Sequence, residues 1–395
     1  MHLSPRSVDF RRKFLTRLRC YFLLTPLASI LWISQFAGAQ TPDISTALAL
    51  EQQGKTTDAE RVWQAIVEAD PKNAEALAHL GLLEARQEHY DAAIEFDRKA
   101  LSINPDVPGL QLNLGLALFK AARFSEAIPA FQTELRKHPG DQRLTILIGM
   151  SHYGMGDYLV AIPYLQQAAA HDADNLAIRL TMAHSCLWSK QYQCVLDVGK
   201  EILALNPDSP EADMLAGEAL DEQGDLDGAI AQFRAAVKAN SKEPNAHFGL
   251  GYLLWKQSKY AEAAEQFKAE TDNDPSQVQA HAYLGNSYLQ LEQFDKAEPE
   301  LLAAIGGDPK LMMAHRDLGI VYSQTGRNDL AVKALEQALG LDNQDSSTHF
   351  HLARIYRSMG RIDEAKAESA AASRLNKQAA EALTQKVNSP PATSH

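Results

Sequence analysis

The sequence predicts an all-α fold, a solenoid of about ten helix-turn-helix repeats, because three columns of residues recur at a spacing of 34. Every member of the first column is Gly or Ala: Ala47, Gly81, Gly115, Gly149, Ala183, Gly217, Gly251, Gly285, Gly319 and Ala353. Twelve residues further on, nine of ten members are Ala: Ala59, Ala93, Ala127, Ala161, Ala229, Ala263, Ala297, Ala331 and Ala365. Another twelve on, six members are Pro: Pro71, Pro105, Pro139, Pro207, Pro275 and Pro309. The units begin at residues 40, 74, 108, 142, 176, 210, 244, 278, 312 and 346 and fill 40–379 without a gap.

Each unit is expected to hold two short antiparallel helices. Leu-Gly pairs such as Leu80-Gly81 lie in an apolar pattern of 3.6 period, which predicts a first helix. Glycine costs about 1 kcal/mol inside a helix, so we expect it where a second backbone approaches closely. The Ala column then lies on the second helix, after turn signals such as Gly224-Asp225, and the Pro column ends the unit. A single pair leaves apolar surface that only the next repeat covers.

The end of the chain is expected to close the solenoid. Lys366, Glu368 and Arg374 make the second helix of repeat ten polar, as a terminal repeat requires. Residues 380–395 are predicted to form a short capping helix and a flexible tail that contains Pro390-Pro391.

Residues 1–39 have the order of an export signal. A basic stretch ending at Arg19 precedes an uncharged apolar run, and Ala37-Gly38-Ala39 follows. We therefore expect a signal peptide cleaved after Ala39 and an exported, periplasmic or secreted protein. The alternative is an inner-membrane anchor formed by residues 21–39. Arg11-Arg12 leaves both the Sec and the twin-arginine export routes open.

The charge is distributed unevenly. The 395 residues carry −12 in total, and residues 1–39 carry +5, so the remaining 356 carry −17. Such an acidic body is repelled by phosphate, which argues against a nucleic-acid partner. Binding to a membrane is expected only if the N-terminal segment remains uncleaved.

The repeat pattern resembles that of the tetratricopeptide-repeat family. Besides the three columns, an aromatic residue recurs at the seventeenth position: Tyr90, Phe124, Tyr158, Tyr192, Tyr260 and Phe294. Another recurs at the twenty-fourth position: Trp63, Phe131, Phe233 and Phe267. Repeat five departs from the pattern, with Val195 and Gly199 in place of the Ala and the aromatic residue. The resemblance implies a right-handed superhelix whose first helices line a concave groove.

The resemblance also identifies candidate groove residues, at positions two, five, nine, twelve and thirteen of the first helices. They form apolar, acidic, aromatic and basic stretches in turn: Leu112, Leu116, Phe119, Met150, Tyr153, Trp188, Glu218, Asp221, Phe248, Tyr252, Trp255, Arg316, Arg354 and Arg357. We expect a protein or peptide partner with a basic centre and apolar flanks. The alternative is that tight coiling buries these side chains. The carboxylate clamp of some family members is absent, since Ala282 and Asp317 replace its Lys and Asn.

Two further groups of residues are candidates for local chemistry. His247, His281, His315 and His349 recur at the fourth position, and we expect them to fill an inter-helix contact, because stacked helices lie too far apart to share one metal ion. Cys186 and Cys194 lie near the turn of repeat five, where they form a disulfide or fill apolar space; the sequence leaves both open.

The sequence shows no catalytic constellation, cofactor motif or evident small-molecule substrate. It favours a non-enzymatic exported scaffold that binds peptides or proteins in its groove. The alternative is a periplasmic chaperone or an assembly factor for the cell envelope or secretion machinery.

Overall fold

The structure, a computed structural model, describes residues 43–388, and every regular element in that range is an α-helix. In chain order the helices are α1 (Ile44–Gln52), α2 (Thr56–Ala69), α3 (Ala74–Arg86), α4 (Tyr90–Ile103), α5 (Leu110–Lys120), α6 (Phe124–Lys137), α7 (Gln142–Met155), α8 (Tyr158–His171), α9 (Leu176–Trp188), α10 (Tyr192–Leu205), α11 (Pro210–Gln223), α12 (Leu226–Ala239), α13 (Ala246–Lys256), α14 (Tyr260–Asn273), α15 (Val278–Gln290), α16 (Phe294–Gly307), α17 (Met312–Gln324), α18 (Asn328–Leu341), α19 (Ser346–Ser358) and α20 (Ile362–Asn388). The prediction of an all-α solenoid of helix-turn-helix repeats is confirmed.

The chain divides into two compact units, Met1–Gln191 and Tyr192–His395, whose described parts hold α1–α9 and α10–α20. The division falls within repeat five, the repeat whose sequence departs from the pattern. In the second unit, the first helices of successive repeats, α11, α13, α15, α17 and α19, also contact one another directly. We call these odd-numbered helices of the second unit the inner row.

Side-chain caps start many of the first helices. The amide oxygen of Asn73 accepts a hydrogen bond from the backbone N–H of Ala76 at 2.9 Å. The carboxylate of Asp345 likewise accepts from Thr348 at 3.0 Å. These bonds satisfy backbone donors that the first turn of a helix leaves unpaired.

The turn between the two helices has the same backbone conformation in all ten repeats. At the fifteenth position φ is positive, which favours glycine, and five repeats have glycine there: Gly54, Gly156, Gly224, Gly326 and Gly360. The other five have a residue with a Cβ in this left-handed conformation: Glu88, Ala122, Lys190, Ser258 and Glu292. The repeat geometry therefore imposes the turn even where the local sequence does not favour it.

The glycine column makes room chiefly for a side chain. A Cβ at Gly115 would lie 2.5 Å from the ring of Phe131, and one at Gly285 would lie 2.6 Å from Leu301 Cγ. A backbone atom lies slightly farther away: a Cβ at Gly319 would be 3.2 Å from the Ala331 carbonyl oxygen. The expected close backbone approach is present, but the residue at the twenty-fourth position is the nearer neighbour.

Repeat two has an acid at this buried contact. Asp97 occupies the twenty-fourth position, is 1% exposed, and lies against Gly81. Its Oδ1 is buried without a hydrogen-bond partner in the described part of the chain. Burial raises the pKa of Asp97 to about 7.

The last helix differs from the prediction. The sequence predicts that repeat ten ends near residue 379 and that a separate short helix follows, whereas α20 runs without a break from Ile362 to Asn388. The repeat-closing Pro is replaced by Lys377, and good helix formers follow it, so no residue ends the helix there.

The predicted signal peptide, with its cleavage after Ala39, and residues 389–395 of the predicted tail lie outside the described residues. Within residues 43–388, none of the helices combines the length and the apolar character that a membrane span requires.

Candidate functional site

An aromatic cluster forms where repeats seven and eight meet in the inner row. It consists of Phe248, Tyr252 and Trp255 on α13 and Tyr283 on α15. The Tyr283 ring lies edge-on to the rings of Tyr252 and Trp255, with centroids 5.5 and 5.2 Å away. Phe248 packs 5.9 Å from Tyr283 and is only 7% exposed. Phe248 therefore forms the floor of the cluster, and the partly exposed rings of Tyr252 and Trp255 form its surface.

A hydrogen-bonded chain extends from this cluster along the inner row. Trp255 donates its indole N–H to Asn286 Oδ1 at 2.8 Å, and Asn286 donates its amide N–H to Asp317 Oδ2 at 2.6 Å. Arg316 donates to Asp317 Oδ1 at 2.9 Å, and its guanidinium lies 3.9 Å from Asp345. One polar chain thus joins repeats seven, eight and nine, and it ends at Asp345, the residue that caps the first helix of repeat ten.

The pKa values in this chain reflect its burial. Burial raises the pKa of Asp317, while Arg316 and Asn286 act in the opposite direction. Burial also lowers the pKa of Arg316, but the neighbouring Asp317 carboxylate outweighs this effect and the net shift is upward. The pKa of Tyr283 is raised to about 12 by burial and by the nearby Tyr252 and Asp317. Tyr283 therefore remains a neutral phenol at physiological pH.

The acidic stretch of repeat six is largely engaged within the protein. Asp221 on α11 forms an ion pair with Lys256 on α13. Lys256 also lies 5.8 Å from the centroid of the Tyr252 ring. Glu222 accepts a hydrogen bond from the Tyr192 hydroxyl at 3.2 Å, and Glu218 is partly buried. The expectation of a partner with a basic centre therefore loses its support, because Asp221 and Glu222 already have partners.

The predicted arginines fall into two classes. Arg316 is held by Asp317 and Asp345, as described above. Arg354 and Arg357 on α19 are exposed, and neither forms an ion pair with a described carboxylate. Arg354 lies 5.9 Å from the ring centroid of Phe350.

The candidate residues of the first unit form two separate groups. Phe119 is 9% exposed and packs with Phe124 at 5.3 Å, so it belongs to the core. Leu112, Leu116 and Met150 are partly buried around that core.

The second group is aromatic. Trp188 is 39% exposed, and its ring centroid lies 4.8 Å from Tyr158, 5.2 Å from His184 and 5.7 Å from Tyr153. Phe119 and Phe248 are buried within the solenoid. For these two candidate groove residues, the structure therefore agrees with the alternative that the side chains are buried.

The histidine column joins helices within and between repeats. His281 Nδ1 lies 2.6 Å from Glu300 Oε2, and its Nε2 donates to the Pro275 carbonyl at 3.0 Å. His315 Nε2 likewise lies 2.9 Å from the carbonyl oxygen of Pro309. His349 makes the same type of contact with the Glu368 carboxylate. Each imidazole therefore ties its first helix to the second helix or to the end of the preceding repeat.

No group of three or more His, Cys, Asp or Glu side chains within residues 43–388 is placed to hold a metal ion. Cys186 is buried at the end of α9 and Cys194 is partly buried at the start of α10. A disulfide and the filling of apolar space both stay predictions for this pair.

Sequence reasoning missed three residues of the candidate site: Tyr283, Asn286 and Asp317. All three lie on first helices, at positions six or nine of their repeats. Of the three, only Asp317 entered the sequence-based prediction, as the residue that replaces an Asn of the absent carboxylate clamp. The sequence did contain a signal for Asn286 and Asp317. Polar residues on the first helices of successive repeats lie close enough to form hydrogen bonds with one another.

Stacked antiparallel helix pairs with a continuous inner row define an α-solenoid repeat protein. Models of the family described as tetratricopeptide repeat match residues 45–108, 112–175, 200–244, 214–278, 248–311 and 283–346, and a second such model matches 322–386. The chain therefore belongs to the tetratricopeptide-repeat family. This fold is typical of protein–protein interaction, and proteins of the family are generally non-enzymatic scaffolds.

Individual relatives are distant. Over 144 residues the chain is 24% identical to the protein O-mannosyl-transferase TMTC1 of Mus musculus, covering 35% of this chain and 15% of that protein. Over 119 residues it is 29% identical to the peroxisomal targeting signal receptor of Eremothecium gossypii, covering 30% of this chain and 20% of that protein. The chain thus spans less than a third of the length of these curated relatives.

Solved structures with a similar fold include MamA and YrrB. MamA is 24% identical, with 42% of this chain and 96% of that chain covered and a TM-score of 0.39. YrrB, described as a TPR protein with an unusual peptide-binding site, is 19% identical. The match covers 48% of this chain and 97% of that chain, with a TM-score of 0.41.

Proposed function

We propose that this chain is an exported, non-enzymatic scaffold that holds a peptide or protein partner along its inner row. Export is inferred from the composition of residues 1–39. The observation that carries the binding proposal is the setting of Trp255. Its indole is fixed by Asn286 and by the edge-on Tyr283 ring, yet part of it remains exposed beside Tyr252.

A fixed, partly exposed aromatic pair suits recognition of a defined partner. Aromatic side chains supply large contact areas and dominate the binding energy of many interfaces. Because the hydrogen bond to Asn286 holds Trp255 and the packed rings hold Tyr252, these two side chains lose little conformational entropy when a partner binds. An assembly factor or chaperone with many unfolded clients remains the second candidate, and no feature of the site favours it.

Affinity capture from an envelope extract tests the proposal. We expect the mature chain to recover a narrow set of proteins, and Tyr252→Ala together with Trp255→Ala to lose them. The matched controls are Leu302→Ala and Leu330→Ala, because these two exposed leucines lie on second helices, α16 and α18. Circular dichroism verifies that each variant retains its helicity.

Capture that is unchanged in the Tyr252 and Trp255 variants, or equally reduced in the controls, would overturn the inner-row assignment. Recovery of many unfolded proteins without a dominant partner would favour the chaperone.

A further inference from the structure

The first helix of the last repeat carries an aromatic ring and two arginines on one face. Phe350, Arg354 and Arg357 are spaced i, i+4 and i+7 on α19, so they lie one above another along the helix. They occupy positions five, nine and twelve of repeat ten, the positions that hold Phe248, Tyr252 and Trp255 in repeat seven. We call these three residues the Phe-Arg face.

The Phe-Arg face is open to solvent. Phe350 is 53% exposed, one of the highest values for a large apolar side chain in the described residues. Arg354 and Arg357 are exposed as well, and the Arg354 guanidinium lies 5.9 Å from the Phe350 ring centroid. An exposed aromatic ring flanked by guanidinium groups is a composition enriched in interface anchors.

The carboxylates nearest in sequence to the Phe-Arg face contact other side chains. Glu364 pairs with Arg361, Glu368 contacts His349, and Asp363 lies 3.7 Å from Lys366. Asp345, which precedes α19, caps that helix and lies 3.9 Å from Arg316. In a body of net charge −17, the two guanidinium groups of the Phe-Arg face therefore lack a carboxylate among the described residues.

The neighbouring His351 feels the charge of these arginines. Burial lowers the pKa of His351, and the charges of Arg354 and Arg316 lower it further, against the opposing charge of Asp345. A further cation beside Arg354 is therefore disfavoured.

We propose that the Phe-Arg face binds an acidic segment of the partner protein, in which one apolar side chain packs on Phe350 and carboxylates pair with Arg354 and Arg357. This inference rests on the proposed function and names the chemistry of the partner. The planar guanidinium groups match carboxylates geometrically and bind them through paired hydrogen bonds.

Helix geometry sets the spacing of the recognised residues. Seven residues of α-helix rise about 10 Å, which is the distance from Phe350 to Arg357 along the axis. An extended peptide covers about 10 Å in roughly three residues. The recognised segment therefore has an apolar residue and acids within about three residues of it.

Fluorescence anisotropy on the mature chain tests this proposal. The probe is a short labelled peptide in which a phenylalanine is followed by glutamates in a glycine–serine background, and the comparison peptide has glutamines instead. We expect the glutamate peptide to bind more tightly, and we expect added salt to weaken it. Arg354→Gln and Arg357→Gln should each weaken binding about fivefold.

A matched control and a charge swap make the test specific. Arg374→Gln removes the same charge from an exposed position on α20 and should leave the affinity unchanged. The double variant Arg354→Glu/Arg357→Glu should prefer a lysine version of the peptide over the glutamate version.

Three outcomes would overturn the inference. They are equal affinity for the glutamate and glutamine peptides, glutamate binding that survives both Arg→Gln substitutions, and tighter binding of a phosphoserine peptide than of the glutamate peptide, which would assign the face to phosphate. If the captured partner depends on Tyr252 and Trp255 but not on Arg354 and Arg357, the proposed function stands and this inference fails.

Discussion

The buried carboxyl of Asp97 makes the stability of repeat two dependent on pH. The carboxyl is 1% exposed and its pKa is raised to about 7, whereas the value expected for an unfolded chain is 3.8. A raised pKa means that the folded state binds the proton more tightly than the unfolded state does. The stabilisation from the protonated form is therefore complete below pH 3.8 and is lost as the pH rises through about 7.

The substitution Asp97→Leu removes this dependence. A shift of about three pKa units at 1.36 kcal/mol each corresponds to roughly 4 kcal/mol of destabilisation above pH 7 in the native chain. Leucine has a similar branched shape and already packs against the glycine column at Leu301 and Leu335. Burial of its apolar side chain adds about 2 kcal/mol at any pH. We therefore expect a gain of about 2 kcal/mol near pH 4 and of about 6 kcal/mol near pH 8.

Urea unfolding monitored through Trp63 measures this effect locally. The Trp63 ring of repeat one stacks on the ring of His79, with centroids 4.3 Å apart. His79 belongs to repeat two, the repeat that contains Asp97. Trp188 and Trp255 are replaced by Phe so that Trp63 is the reporter in the mature chain. Asp97→Asn serves as a control that removes the charge and should abolish the pH dependence. An equal gain from Asp97→Leu at pH 4 and pH 8 would refute the reasoning.

Three further predictions concern other parts of the chain. Glu292→Gly should raise the free energy of unfolding by about 1 kcal/mol, because the φ of 58° at this residue strains any side chain; thermal melts that show no gain would contradict this. Asn286→Ala should lower the free energy of unfolding by about 2 to 3 kcal/mol, because it removes the partner that Asp317 and the Trp255 indole share. Unchanged urea unfolding would argue against the hydrogen-bonded chain. Thiol titration of the denatured mature protein should detect no free thiol if Cys186 and Cys194 are bonded, and two free thiols would exclude the disulfide.

The spacing of small residues predicted most of the fold. Gly and Ala recur at fixed positions because the residue at the twenty-fourth position and a backbone carbonyl leave room for nothing larger. In all seven repeats that have glycine here, an added Cβ would lie 3.0 Å or less from a side-chain atom of the second helix, so the pattern survives in the sequence. The continuous last helix is explained by the helix formers Lys377-Gln378-Ala379-Ala380. The second helices α8, α12 and α18 also lack the closing Pro, but Asp or Asn follows each of them directly and they end there.

Other features needed the structure because they depend on pairs of residues. The left-handed turn at Ala122 and Ser258 carries no local signal, since the packing of the helix pair imposes it. The acidic stretch of repeat six suggested a basic partner, but Asp221 is neutralised by Lys256, 35 residues away in the sequence. Side-chain pairing across repeats thus decides which charges remain available, and a column of residues at one position does not reveal it.

Hydrogen exchange of the mature protein with its captured partner tests the central claim most directly. We expect bound partner to slow amide exchange in α13, α15 and α17, whose side chains form the aromatic cluster and the hydrogen-bonded chain. Protection confined to the second helices α14, α16 and α18, with α13, α15 and α17 unchanged, would contradict the assignment of the inner row as the binding surface.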